Sequence, residues 1–273
     1  GSKFQVTGPT AAFVVILAPI VATHGLSGLL TAGLVAGLLL VAMGVARLGR
    51  FVQFIPHPVT TGFTAGIAIV IATLQVKDFL GLQTAALPGH FLPRAIALAR
   101  ALPTIRTGDL AVGLVTLALL LLWPKLIKAV PAPLVALVLG ALLAWGLARI
   151  APELAPATIQ DRFHYTLADT TYGGIPPLPP QPVLPWRLAA PNGAPLTLSF
   201  DLLQALVPAA FPMAMLGAIE SLLSAVVADG LAGTKHDPDG ELVGQGIGNL
   251  VAPFFGGIAA TRAIARTATH IPP

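Results

Sequence analysis

The sequence predicts an all-α, polytopic membrane protein whose helices are interrupted rather than continuous. Three observations carry this. Of the 273 residues, 55% are apolar and only 10% charged, against about a quarter charged in a soluble domain, and the mean hydropathy is +0.85. Glycine and proline contribute 28 and 26 residues, an excess that signals breaks. Long stretches carry no Asp, Glu, Lys or Arg, beginning with Phe4 to Ala46. Such a chain cannot clothe a globule in water, so a soluble enzyme and a disordered tail are both excluded. The net charge is +4, yet the Lys and Arg residues are scattered and no nucleic-acid-binding patch forms. With no cysteine, disulfide and thiol chemistry are excluded.

A membrane helix needs about 20 residues, so Phe4–Ala46 is too long for one span and short for two with a loop. Thr23-His24-Gly25 supplies a break, giving a shortened helix near 9–22 and a full one near 27–46, before a turn at Arg47 and Arg50. A third span follows Pro56-His57-Pro58 and ends at Lys77-Asp78. Residues 79–107 place Arg94, Arg100 and Arg106 among Leu and Ala and predict a loop with an interfacial helix. Spans near 109–124 and 131–148 are separated by Lys125 and Lys128. From about 150 to 197 the chain is rich in Pro, Thr and Asp, which predicts a long exposed connection outside the mechanism. A span near 200–228, a polar turn with Lys235, His236, Asp237, Asp239 and Glu241, the uncharged run 242–260 and a segment from Thr261 follow. Short basic turns face the cytoplasm, which places Arg47/Arg50, Lys125/Lys128 and Lys235 there. No residue-1 Met and no cleavable signal pattern is present, and the chain ends at His270-Ile271-Pro272-Pro273. It reads as an internal piece of a longer protein.

GxxxG occurs at Gly33/Gly37, Gly62/Gly66, Gly240/Gly244 and Gly244/Gly248. This helix-packing signature is expected about three times by chance at this glycine content, so it decides nothing.

Three elements could carry chemistry. Phe4-Gln5-Val6-Thr7-Gly8-Pro9-Thr10 reads as a short extended stretch and then a helix from about Pro9, because the residue before proline is pushed to extended geometry and proline suits a first helical turn. A helix starting inside the membrane presents free N–H groups and a positive dipole end to an anion; a helix that simply begins at the membrane surface is the plain alternative. Pro253 to Thr261, glycine-rich and extended, leads likewise into Arg262-Ala263-Ile264-Ala265-Arg266-Thr267, where the bland alternative is a surface helix with arginines at lipid headgroups. Two such broken segments in separate halves of a chain are a pointer to a transporter site. Third, Glu220 stands well inside its span with Ser224 one turn on. A carboxylate in the bilayer is costly and points to function: it could take a proton, bind Na⁺ or pair with Arg266, or form only a packing contact. The six histidines show no i, i+4 pair, and HExxH, G-x-S-x-G and Walker sequences are all absent, so no metal site, hydrolase or ATPase is expected.

At these residues the chain resembles the SulP (sulfate permease) family of anion transporters over nearly its whole length. The resemblance lies in Gln5-Val6-Thr7-Gly8-Pro9-Thr10-Ala11-Ala12, Phe54–Gly66, Gly217-Ala218-Ile219-Glu220-Ser221, Glu241–Gly246 and Ala263–Thr269, in order. It implies an inverted-repeat fold of 7+7 segments with core and gate domains, in which two half-helices are preceded by short extended strands. This chain would run from the third to the tenth segment, with core segments in 1–78 and 198–273, gate segments in 79–150 and an extramembrane loop at 151–197. It also implies a C-terminal STAS domain beyond this chain; a homodimer is a candidate assembly. Substrate would bind between Thr7, Gly8, Pro9 and Thr10 (with Gln5 beside them) and Ala259, Ala260 and Thr261, with Arg266 as the basic residue. Glu220 and Ser224 would bind the coupling ion, a proton or Na⁺, with no other cofactor. Arg262 and His270 depart from the family pattern, and Arg262 either adds charge near the substrate or points to lipid or solvent. The implied function is alternating-access transport of a small anion (dicarboxylate, sulfate or bicarbonate) by proton symport in a bacterial inner membrane. The alternatives are sodium coupling, a nucleobase-type permease of similar fold, an uncoupled channel or a membrane scaffold.

Overall fold

The computed structural model describes residues 1–52, 57–84, 87–88, 91–127, 130–167, 169–188, 196, 199–263 and 266–267. Two compact units emerge: Gly1–Ile67 together with Pro179–Pro273, and Ala68–Leu178. Among the described residues, four helices are long and apolar enough to cross a membrane: α1 (Val14–Val45), α5 (Thr107–Leu126), α6 (Ala132–Ile150) and α8 (Phe200–Ala232). The protein is a multi-pass integral membrane protein.

In the first unit, strand β1 (Thr7–Gly8) leads through a 3-10 turn at Ala11–Phe13 into α1. The helix therefore begins later than the expected Pro9, because Thr10 C=O accepts from Phe13 N–H at 3.1 Å and closes that tighter turn first. The expected break is at Gly25, whose φ of 66° and ψ of −169° leave the helical region for one that essentially only glycine occupies. Two shorter helical pieces result. After the turn at Ala46–Leu48 come α2 (Gly49–Val52) and α3 (His57–Phe79); the division between units falls inside α3, between Ile67 and Ala68.

Helix α8 is capped by Ser199, whose hydroxyl accepts from Leu202 N–H at 3.1 Å, and it ends on left-handed Gly233. Helix α9 (Pro238–Val251) starts on an Asp237 cap, so it recruits Asp239 and Glu241 from the expected polar turn. It gives way to a 3-10 turn at Ala252–Phe255 and then strand β4 (Thr261–Arg262). The core lies between α1, α8 and α9 and is built from Phe13, Leu17, Leu40, Leu206, Met213 and Leu242. Small residues bring α1 and α9 close: a Cβ on Gly37 would stand 2.9 Å from Gly246 O and Leu250 N, and one on Gly44 2.8 Å from Asp239 O.

In the second unit, α4 (Phe91–Ala101) occupies the stretch expected to hold an interfacial helix, and α5 packs on α6. Most of their surface is apolar and outward-facing, with Leu114, Leu121, Leu137 and Leu142 exposed, as lipid-facing helices require. Buried Asp109 accepts from Ala157 N–H at 3.1 Å and lies 3.5 Å from Arg106 Nε, tying the chain after α6 to the start of α5.

The proline-rich stretch is more ordered than its composition suggests. A capped turn α7 (Ile159–Arg162) precedes an antiparallel hairpin, β2 (His164–Leu167) with β3 (Thr170–Gly173), reversed at Asp169, which has a positive φ of 64°. Its far end is not a free connection either. Ser27 Oγ donates to Pro185 O at 2.8 Å, Val183 N–H donates to Phe254 O at 2.7 Å, and Trp186 meets Phe254 edge-on. This end is a wall of the first unit, because a buried proline-flanked backbone finds partners there that water would otherwise supply.

Candidate functional site

The two broken segments meet. β1 and β4 form an antiparallel pair with Thr7 opposite Arg262 and Gly8 opposite Thr261, although they are far apart in sequence. Just past the strand pair, Ala263 N–H donates to Val6 O at 3.0 Å, so the pairing extends beyond the formal strands. Backbone N–H and C=O groups must find partners when taken from water, and these short strands satisfy one another.

The strand β1 runs toward the start of α1. Beyond β4, Thr267 N–H donates to Ala263 O at 2.9 Å, a single helical-type bond among the described residues. Residues 264–265 and 268–273, including His270, lie outside the described residues. Arg266 reaches back to the first segment: its Nη2 donates to Pro9 O at 2.9 Å. A Cβ on Gly8 would lie 2.5 Å from Arg266 Nη1, so the absence of a side chain there admits the guanidinium. Thr7, Pro9 and Arg266 are exposed. This end therefore offers an accessible cation beside the positive end of α1.

α8 forms the floor. Half-buried Glu220 accepts from Thr10 Oγ1 at 3.1 Å, linking the carboxylate to the start of α1. Gln5 Nε2 donates to Ser221 O at 3.0 Å. The side chain of Thr261 is fully buried against α8, where its hydroxyl donates to Gly217 O at 3.3 Å and lies 3.3 Å from Ser221 Oγ. Ser224 is turned toward Thr267, donating at 3.3 Å, and Thr267 Oγ1 also accepts from Val6 N–H at 3.3 Å. The structure thus brings Gln5, Thr10, Glu220, Thr261 and Arg266 around one strand pair. The hydroxyls of Ser224 and Thr261 serve contacts between elements, while Ala259 is buried and Ala260 partly so.

Arg262 follows neither path expected of it. Its Nε lies 2.7 Å from Oε1 of Glu241, a carboxylate only 1% exposed, so the guanidinium is drawn into an ion pair with α9. Thr267 and the partners of residue 260 on α9 were also missed by sequence reasoning. The spacing Glu241, Gln245, Asn249 was the available signal, since polar side chains at i, i+4 and i+8 share one helix face.

The sulfate permease family profile matches residues 1–272. The chain belongs to the sulfate permease family. YvdB of Bacillus subtilis (strain 168) is 41% identical over 271 residues, 99% of this chain and 47% of its own. The bicarbonate transporter BicA of Picosynechococcus sp. is 31% identical over 281 residues, 99% of this chain and 45% of its own. The solved transmembrane domain of a cyanobacterium bicarbonate transporter BicA superposes with a TM-score of 0.76 at 31% identity, covering 99% of this chain and 64% of that one. The fold is thus the sulfate permease fold. The chain spans about half the length of these curated relatives.

Proposed function

We propose that this segment carries the anion site of a secondary active transporter rather than an enzyme or scaffold. The observation that carries the reading is the pairing of β1 with β4 just before the start of α1, with Arg266 donating to Pro9 O beside them. Free N–H groups, the dipole of α1 and a guanidinium together favour a small oxyanion, of the sulfate, bicarbonate or dicarboxylate class. Gln5, Thr7, Gly8, Pro9, Thr10, Ala259, Ala260 and Thr261 would surround it, largely through backbone. A nucleobase-type site is disfavoured, since Arg266 recognises negative charge.

Glu220 is the coupling group in this reading. Its bond to Thr10 puts a carboxylate within one residue of the chain that would hold the anion, and two negative charges at such range repel. A proton on Glu220 removes that repulsion, so anion and proton bind together and cross together. The segments 1–78 and 198–273 would move as a core against the gate segments 79–150; the two compact units divide the chain similarly but place 68–78 with 79–178. The same reading includes a homodimer, an attached STAS domain and a bacterial inner membrane. Sodium is the second reading, supported by the oxygen pair of Glu220 and Thr10, which suits a hard cation.

The test is uptake and counterflow by the full-length protein in proteoliposomes, with sulfate, bicarbonate and C4-dicarboxylates, under proton or sodium gradients. Proton-driven accumulation is expected for the native protein and is abolished in Glu220→Gln. Proton-driven uptake unchanged by that substitution overturns the coupling assignment; accumulation that follows sodium alone supports the second reading.

A further inference from the structure

Glu241, Gln245 and Asn249 lie on one face of α9, and each is 1% exposed. Buried polar side chains are costly unless they are used, and all three are used on the same short piece of chain. Asn249 grips Ala260 from both sides: its Nδ2 donates to Ala260 O at 3.0 Å and its Oδ1 accepts from Ala260 N–H at 2.9 Å. In effect this amide is the strand neighbour that Ala260 otherwise lacks. Gln245 Nε2 donates to the same carbonyl. Two residues on, Glu241 holds Arg262 in the ion pair, and its other oxygen accepts from Ser2 N–H at 2.8 Å, just before β1. α9 is itself seated on α1 by close contact at Gly37 and Gly246: a Cβ on Gly37 would meet only backbone of α9, and one on Gly246 would meet Val41 N and Gly37 O together with Val41 Cγ2.

We propose that this polar face of α9 is the positioning element of the anion site. It fixes the height of residues 260–262 against α1, and so fixes where β4 stands relative to β1 and the start of α1. Glu241 also occupies the charge of Arg262, keeping that cation off the site. The inference rests on the anion reading above and adds three positioning residues to it; none of them touches the proposed substrate.

The experiment compares native full-length protein with Asn249→Leu, which removes both bonds to Ala260, and Asn249→Asp, which keeps the acceptor for Ala260 N–H but loses the donor to its carbonyl. Two readouts are taken: KM and Vmax for sulfate and bicarbonate uptake, and hydrogen exchange of the amides of residues 260–263 against those of α9. For Asn249→Leu, KM is expected to rise about tenfold with Vmax within about threefold, the pattern of lost binding geometry rather than lost turnover. The Asp variant falls between. Exchange at 260–263 speeds up in both while α9 is unchanged. Native KM and native exchange in a folded variant overturn the proposal. Should Asn249→Leu not fold, the Asp variant decides by the same two measurements. A native protein that takes up no anion refutes the transport reading, and exchange then still decides the positioning role.

Discussion

The contact between α1 and α9 makes a sharp prediction, because glycines that look equivalent in sequence differ in surroundings. In Gly37→Ala the new Cβ would stand 2.9 Å from Gly246 O and Leu250 N and 3.0 Å from Asn249 C. Carbon atoms are at ease at about 3.5–4.0 Å, so the helices must part by about half an ångström. All three neighbours are backbone and cannot rotate aside. Overpacking of this kind costs about 1–3 kcal/mol, offset in part by the roughly 1 kcal/mol that alanine gains over glycine inside a helix. The net loss is about 0–2 kcal/mol, a drop of up to about 8 °C in melting temperature at this size. Gly62→Ala meets nothing within 4 Å and keeps the propensity gain alone, so it raises stability by up to about 1 kcal/mol. Gly33→Ala meets only Pro253 Cγ at 3.6 Å, an ordinary contact, and falls between. Thermal melting of the three purified variants checks this order. A Gly37→Ala protein as stable as Gly62→Ala refutes the claim that α1 and α9 touch through backbone.

Two further predictions follow from local geometry. Gly25→Ala forces a side chain onto the backbone angles at the break in α1 and costs about 1–3 kcal/mol, read as a lower melting temperature; an unchanged value would show the break to be free of strain. In the hairpin segment, the Thr158 hydroxyl donates to the Asp161 carboxylate at 2.7 Å and its backbone N–H at 2.8 Å, and these bonds hold the Asp161 pKa below its ordinary 3.8. A lowered folded pKa means the cap contributes above that ordinary value and is lost as pH falls through the lower folded one. The protection of the amides of residues 161–163, relative to their intrinsic exchange rates at each pH, should therefore fall on acidification. Asp161→Asn should flatten that dependence, and the same acid response in that variant would exclude the cap as its cause.

What could be read from the sequence was whatever rests on local rules. Hydropathy placed α1, α5, α6 and α8, Gly25 supplied the break, and Gly8-Pro9 marked extended chain running into the start of α1. Partners were not legible, because nothing local encodes them. Arg262 is conspicuous as a charge in an apolar region, but its partner Glu241 lies on a different helix. Thr267 looks like any small polar residue until Val6 and Ser224 converge on it. The proline-rich stretch is mostly exposed, as its composition predicts, but proline content says nothing of whether Pro185 and Trp186 have a surface to dock on.

The pairing of β1 with β4 also bears on how the protein is made. Thr7 leaves the ribosome long before its partner Arg262, and the intervening residues take roughly 13–50 s to synthesise at 5–20 residues per second. Throughout that interval β1 has no strand to bond, in a medium that offers its backbone no substitute. The nascent segment must therefore wait in water, in the insertion machinery or against its own neighbours until the second strand arrives. Slowing elongation anywhere between the two strands lengthens that wait, so synonymous changes that leave the finished protein identical can still alter how much of it reaches the membrane intact.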